Sequence, residues 1–288
     1  MAEVINLSIE EDLAIISFNN PPVNSLGLAV RKGLVEALNA AENNVNVRAI
    51  ILIGEGSTFP AGADIKEFGH PPQEPHLPAI CDKIEKTKKP VISALHGTAL
   101  GGGLEIALSS HYRIASEKTK IGLPEVHLGL LPGAGGTQRL PRLAGIVPAL
   151  KIMTSGNPIS STEALKIGII DKIAEDLLLN AKSFARENMG KNNYPITSNI
   201  QEKIIDSEEN RGAIKSFREE LQKKARGLVE VDAMISAKPR IGIPASIICL
   251  KFKFFRTLLE FPLCKFIFVL NFCKNFFTLS IEFKFSFK

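Results

Sequence analysis

The sequence is poor in cysteine. Of four cysteines in 288 residues, Cys249, Cys264 and Cys273 lie within the last 40, which leaves Cys81 alone in the body of the chain. That excludes a disulfide framework and a Cys-x-x-Cys site, and it fits a protein made and kept in a reducing compartment. Histidine is scarce as well: His70, His76, His96, His111 and His127 fall at no ligand spacing, so no metal is expected. The first basic residue is Arg31, after Glu3, Glu10, Glu11 and Asp12, which speaks against a secretory signal and against an arginine-rich transit peptide. Charges interrupt every apolar run well short of the roughly 20 residues a membrane helix requires, so no span is expected. No Gly-x-Gly-x-x-Gly and no Gly-Lys-Ser/Thr phosphate loop is present.

The net charge of +5 comes from one end. Residues 249–288 carry six lysines and one arginine against Glu260 and Glu282, so the first 248 residues balance at 28 basic and 28 acidic side chains. A basic nucleic-acid footprint is therefore missing from the body. The same 40 residues hold 12 of the 17 phenylalanines with neither helical nor strand period, and this segment reads as an alternative or misread terminus. A chain ended near Ile243 is expected to be as active as the whole and more soluble.

What remains is patterned. Val4–Ile9 and Leu13–Phe18 read as two strands, ended by Asn19-Asn20-Pro21-Pro22. Residues 26–41 carry Val30, Leu34 and Leu38 at helical spacing, followed by the apolar strand 48–53. A second unit runs from a helix over 79–87 to a strand over 90–95, and another strand is expected at 111–115. Gly133-Ala134-Gly135-Gly136 precedes a helical run to Leu143, and Ser160-x-x-Glu163 forms a capping box for a helix stopped by Gly168. Alternating strands and helices predict an α/β fold. From Leu177 onward helices dominate, with an amphipathic one over 211–235. The expected division is a core over 1–190, a helical C-terminal part over 191–243 and a poorly ordered Phe/Lys-rich tail over 244–288.

The stretch from Leu95 to Leu131 carries the chemistry. Glu105 follows Gly101-Gly102-Gly103 at the start of a helix, and Glu125 sits in Leu123-Pro124-Glu125-Val126, both in apolar company. Two carboxylates in such surroundings push their pKa values apart, leaving one to donate a proton and the other to accept it. Each also has a plain structural reading: Glu105 as a helix-start glutamate, Glu125 as the ion-pair partner of Arg113 or Arg139. Asp64 reads first as the cap of a helical turn beginning at Ile65, and Lys66 as a surface lysine. Two glycine-containing loops, Ala61-Gly62-Ala63-Asp64 and Ala99-Leu100-Gly101-Gly102-Gly103, can each offer a free N–H, and if they meet they form an oxyanion hole.

The whole set in order, Asn19-Asn-Pro-Pro-Val-Asn24, Pro60-Ala-Gly-Ala-Asp-Ile-Lys66, Leu100-Gly-Gly-Gly-Leu-Glu105, Gly122-Leu-Pro-Glu125, Gly129-Leu-Leu-Pro-Gly133 and Gly135-Gly-Thr-Gln-Arg-Leu140, resembles the enoyl-CoA hydratase/isomerase (crotonase) family over residues 1–240. Within it, His111-Tyr-Arg-Ile-Ala115 and Leu131-Pro-Gly-Ala134 are most similar to the peroxisomal multifunctional branch. The resemblance implies a crotonase-like superhelix of ββα repeats with a helical C-terminal part, and hydration of a 2-trans-enoyl-CoA to a 3-hydroxyacyl-CoA in fatty-acid β-oxidation, with 3-enoyl to 2-enoyl isomerisation as a companion activity. It makes Glu105 and Glu125 the acid/base pair, without deciding which is which, and Ala63 and Gly102 the oxyanion donors. Ala61, Gly62, Asp64, Ile65 and Gly101 would bind the acyl-CoA thioester. No cofactor is implied beyond the coenzyme A of the substrate, and an oligomer is compatible with the family. Pro60 departs from the small or polar residue usual before Ala61. The resemblance suggests the peroxisome, although the sequence closes Phe285-Ser-Phe-Lys288 without a targeting tripeptide, which leaves the cytoplasm as the other expectation. The rival reading, from the unusual tail, is a shortened, inactive isoform acting through subunit assembly.

Overall fold

A computed structural model describes residues 4–67, 70–191 and 193–224. The chain opens with a hairpin, β1 (Ile5–Glu10) and β2 (Leu13–Phe18), paired antiparallel from Ile5↔Phe18 to Glu10↔Leu13. Helix α1 (Leu28–Asn43) crosses to β3 (Ala49–Gly54), and α2 (Leu77–Glu85) crosses to β4 (Val91–Leu95). Next come β5 (Thr98–Leu100), α3 (Gly102–Ser109), β6 (Tyr112–Ala115) and β7 (Lys120–Gly122). Then follow α4 (Gly136–Ala144), α5 (Ile146–Ser155), β8 (Ile159–Ser160), α6 (Ser161–Ile167), β9 (Lys172–Ile173), α7 (Leu177–Asn188) and α8 (Glu208–Lys224). Short 3-10 turns occupy Ile65–Glu67 and Pro124–Leu128.

Six strands form one sheet in the order β1-β2-β3-β4-β6-β9, parallel from β2 onward, and β5-β7-β8 form a second. The central strands are covered on both faces, which is why β3 and β4 read as continuous apolar runs. Alternation along each strand then divides the core. Ile16, Phe18, Ile50 and Leu52 face α1, α2 and α3, where Leu34, Leu38, Ile80 and Leu104 complete the larger cluster. Ile15, Ile51, Ile92 and Ile114 face α7 and its Ala181 and Ala185. The small side chains of α7 let its backbone lie close to the sheet.

The α/β expectation and its main elements therefore stand, with boundaries moved by one to three residues. Ser160 caps α6 by accepting the Glu163 N–H at 3.2 Å, and Gly168 ends that helix in the left-handed region, φ +86°. The second sheet is an addition, because strands of two or three residues carry no periodic signal. The amphipathic helix expected over 211–235 begins earlier, at Glu208, and its Ile214 and Phe217 pack on Ile146 and Leu150. Its continuation past Lys224, the rest of the expected 191–243 part and the 244–288 tail lie outside the described residues. No helix among the described residues is long and apolar enough to cross a membrane.

Candidate active site

The site begins where the two sheets diverge. After β5 the chain turns at Gly101, whose φ of +52° and ψ of −127° suit only glycine, and enters α3 at once. A Cβ built on Gly101 would lie 3.7 Å from the Gly62 Cα and 3.3 Å from Glu125 Oε1, and one on Gly102 would lie 3.8 Å from the Ala63 nitrogen. The two glycine loops and Glu125 thus converge on one spot. At Gly103 a Cβ would fall 1.8 Å from the Pro60 carbonyl oxygen, so the first turn of α3 and the Pro60 loop meet backbone to backbone. Among the described residues neither the Ala63 N–H nor the Gly102 N–H is used in a hydrogen bond. The second is also a first-turn helix donor, which carries part of the helix's positive end.

The 60–67 loop is held from the segment before α1 and from the first turn of that helix. Leu26 N–H donates to Gly62 O at 2.9 Å and Ala61 N–H to Val23 O at 3.1 Å, with Gly62 itself at φ +124°. Asp64 Oδ1 accepts the Lys66 N–H at 3.0 Å, so Asp64 does cap the short turn that follows, while Ile65 is 68% exposed at the rim. Sequence reasoning missed Arg31. Its buried guanidinium donates to Glu67 Oε2 at 2.6 Å, to Leu26 O and Pro75 O at 2.9 Å each, and to Gln73 O at 3.3 Å, tying together both ends of the loop over the site. A lone arginine on an otherwise apolar helix face was the available signal.

Glu105 points inward from α3 and is 3% exposed. Its Oε1 accepts two backbone N–H bonds from the loop before α4, Ala134 at 2.7 Å and Gly136 at 2.8 Å. Burial raises its pKa, and these two donors, with Arg139 behind them, work against that rise by favouring the charged form. Glu125 lies on the Pro124–Leu128 turn, and its Oε2 is buried with no hydrogen-bond partner among the described residues. Burial first, and then the charge of Glu105, push its carboxyl up to about 8. The pair is thus asymmetric: two backbone donors favour the charged form of Glu105, whereas the buried Oε2 of Glu125 has no such donor among the described residues.

Neither arginine considered as a partner of Glu125 pairs with it. Arg113 is spent on Ile169 O, Ser110 O and Asp171. Arg139 is held by Glu85 and Asp82 at 2.8 and 2.9 Å. Cys81, beside this group, is fully buried with its thiol pushed up to about 12, chiefly by that burial, and is therefore unreactive.

A fold of this topology, with two unlike buried carboxylates beside two backbone donors unused among the described residues, is of the crotonase type. Residues 8–225 match the family model described as enoyl-CoA hydratase/isomerase, and the chain belongs to that family. It is similar to the peroxisomal bifunctional enzyme of Danio rerio, 41% identical over 246 residues that make up 83% of this chain and 33% of the relative. It is also similar to a probable enoyl-CoA hydratase of Bacillus subtilis, 45% identical over 60% of this chain and 69% of that one. Among solved structures, an enoyl-CoA hydratase from Thermoplasma volcanium superposes with a TM-score of 0.61 at 28% identity, covering 79% of this chain and 95% of that one. The chain spans about a third of the length of the bifunctional relative.

Proposed function

We propose that this chain adds water across the double bond of a 2-trans-enoyl-CoA, as the hydratase step of fatty-acid β-oxidation. The observation that carries the reading is the asymmetric pair, Glu105 bonded by the Ala134 and Gly136 N–H groups and Glu125 with its Oε2 unpartnered, beside the Ala63 and Gly102 N–H groups that are unused among the described residues. On this reading Glu105 is the ionised member and Glu125 the protonated one. Water attacking C3 gives a proton to Glu105 while the new C–O bond forms. The electrons of the C2=C3 bond move toward the thioester oxygen, where the Ala63 and Gly102 N–H groups bind the developing charge more strongly than the starting carbonyl. Glu125 then delivers its proton to C2, and passage of the proton from Glu105 to Glu125 resets the pair. The reading needs no cofactor besides the coenzyme A of the substrate.

Gly62 and Gly101 approach each other beside Glu125, and on this reading they, with Ala61, Asp64 and Ile65, would seat the thioester and its pantetheine arm. The same pair, moving a proton between C2 and C4, would isomerise a 3-enoyl-CoA. The peroxisomal names of the relatives support that compartment, and family membership supports an oligomer. The direct test follows the loss of conjugated enoyl-thioester absorbance when the isolated chain meets a short 2-enoyl-CoA. Absence of turnover in folded protein would favour the shortened-isoform reading, for which a pull-down with full-length subunits is the check.

A further inference from the structure

Three successive peptides of the loop before α4 alternate in what they serve. The N–H of the Gly133–Ala134 peptide and that of the Gly135–Gly136 peptide both donate to Glu105 Oε1. The carbonyl of the peptide between them, Ala134 O, accepts from Arg139 Nη1 at 3.1 Å. The arginine thus grips the middle of the cradle whose two outer members hold the carboxylate. Arg139 is itself fixed: its Nε lies 3.3 Å from both oxygens of Glu85, and its Nη2 bonds Glu85 Oε2 at 2.8 Å and Asp82 Oδ1 at 2.9 Å. Arg139 and Glu85 are buried, 3% and 5% exposed, while Asp82 sits at the half-buried edge of the cluster.

We propose that Arg139 is a positioning residue for hydration: it orients the Ala134–Gly136 peptides toward Glu105 and supplies the positive charge that keeps Glu105 the ionised member of the pair, with Glu85 holding Arg139 in place. The inference rests on the hydratase reading above. Other charged and titratable groups face this cluster. Cys81 and Asp82 lie on α2 with Glu85, and Glu125 faces Glu105 from its own turn. Arg142 lies one turn along α4, and His111 and Arg113 feel the charge of Glu85 from β6 and the residue before it. The Arg139 guanidinium bonds the cradle itself, at Ala134 O.

The readout is the pH profile of kcat/KM with a short 2-enoyl-CoA. Glu105 must be ionised to take a proton from water, so activity falls as pH drops through its pKa, and removing a nearby positive charge raises that pKa. Arg139→Gln is expected to move the acid limb up by about one unit, to lower kcat at neutral pH about tenfold and to leave KM within about twofold. Glu85→Gln removes a negative charge instead and is expected to leave the acid limb in place or move it down. A purely structural role would lower the amount of active protein at every pH without moving the limb, and that result overturns the proposal. If Arg139→Gln does not fold, Arg139→Lys is read: it keeps the charge and loses the forked grip, so a lowered kcat with the acid limb in place supports the proposal. An unchanged kcat, or failure of the lysine variant to fold as well, overturns it and assigns Arg139 to stability alone. A wild-type chain without hydratase activity would instead overturn the underlying functional reading.

Discussion

Gly101 and Glu125 occupy each other's space: a methyl group on the glycine would stand 3.3 Å from the carboxylate Oε1, tighter than most real contacts, in a backbone conformation that a side chain resists. Gly101→Ala should therefore displace Glu125, the proposed proton donor, as well as strain the turn. The expected result is a folded protein whose kcat is lowered by about 10²-fold, because misplacing a catalytic group by an ångström costs that much. Steady-state kinetics beside a thermal melt checks it, and normal kcat in the alanine variant would remove Glu125 from the reaction.

Glu105→Gln and Glu125→Gln should each lower kcat by about 10² or more while acyl-CoA binding persists, since shape is kept and proton transfer is lost. The two differ in pH dependence. In the wild type, Glu125 must carry its proton, so kcat/KM is expected to fall as pH rises through about 8. Residual activity in the Glu125 variant that kept this alkaline limb would assign the limb to another group.

The same carboxyl sets a stability trend. Its folded pKa of about 8 stands above its ordinary value of 4.5, so the stability linked to its proton is fully present below 4.5 and is lost as pH rises through 8. The slope approaches about 1.4 kcal/mol per pH unit within that window. Urea midpoints taken at about pH 5 and about pH 9 should separate more widely in the wild type than in Glu125→Gln, where this carboxyl proton is absent. Equal separation in both proteins would show that Glu125 is not the linked group.

Gly103 and Gly102 separate folding from chemistry. A Cβ at Gly103 meets the Pro60 carbonyl at 1.8 Å, a backbone atom that cannot step aside, whereas one at Gly102 meets first the Leu77 Cδ2 at 2.6 Å, the end of a movable side chain. Gly103→Ala should destabilise the protein by about 2 kcal/mol or more, and Gly102→Ala should cost less. Denaturant unfolding of the two variants decides it, and the reverse order would mean that the Pro60 loop yields more readily than its contacts indicate.

How much of this was legible before the structure depended on how local the cause was. The Ser160 box, the hairpin and the apolar runs of β3 and β4 were readable because neighbouring residues produce them. Strands β5, β7 and β8 were not, since Thr98–Leu100 becomes a strand only by pairing with Lys120–Gly122 some twenty residues away. The carboxylates at Glu105 and Glu125 were visible as acids in apolar company, but their unlike environments were not. The Ala134 and Gly136 donors reach Glu105 across 29 and 31 residues. Arg139 could be read only as a partner for some acid, and the choice of Glu85 over Glu125 is made by the packing of α2 against α3 and α4.

Arg31 illustrates the same limit at the edge of the site and supplies the last test. Its guanidinium holds Leu26 O, beside the segment that binds Gly62, together with Glu67, Gln73 O and Pro75 O, so one side chain fixes the loop that carries Ala63 and the chain that follows it. Arg31→Met keeps the apolar stem and removes every one of these bonds. Acyl-CoA must then order the loop on binding, and the cost of that ordering appears in affinity. KM is expected to rise about tenfold with kcat lowered less than threefold, because the carboxylate pair is supported from α3, α4 and the Pro124–Leu128 turn and does not depend on Arg31. A loss confined to kcat would contradict this division and would place Arg31 in support of the oxyanion donor itself.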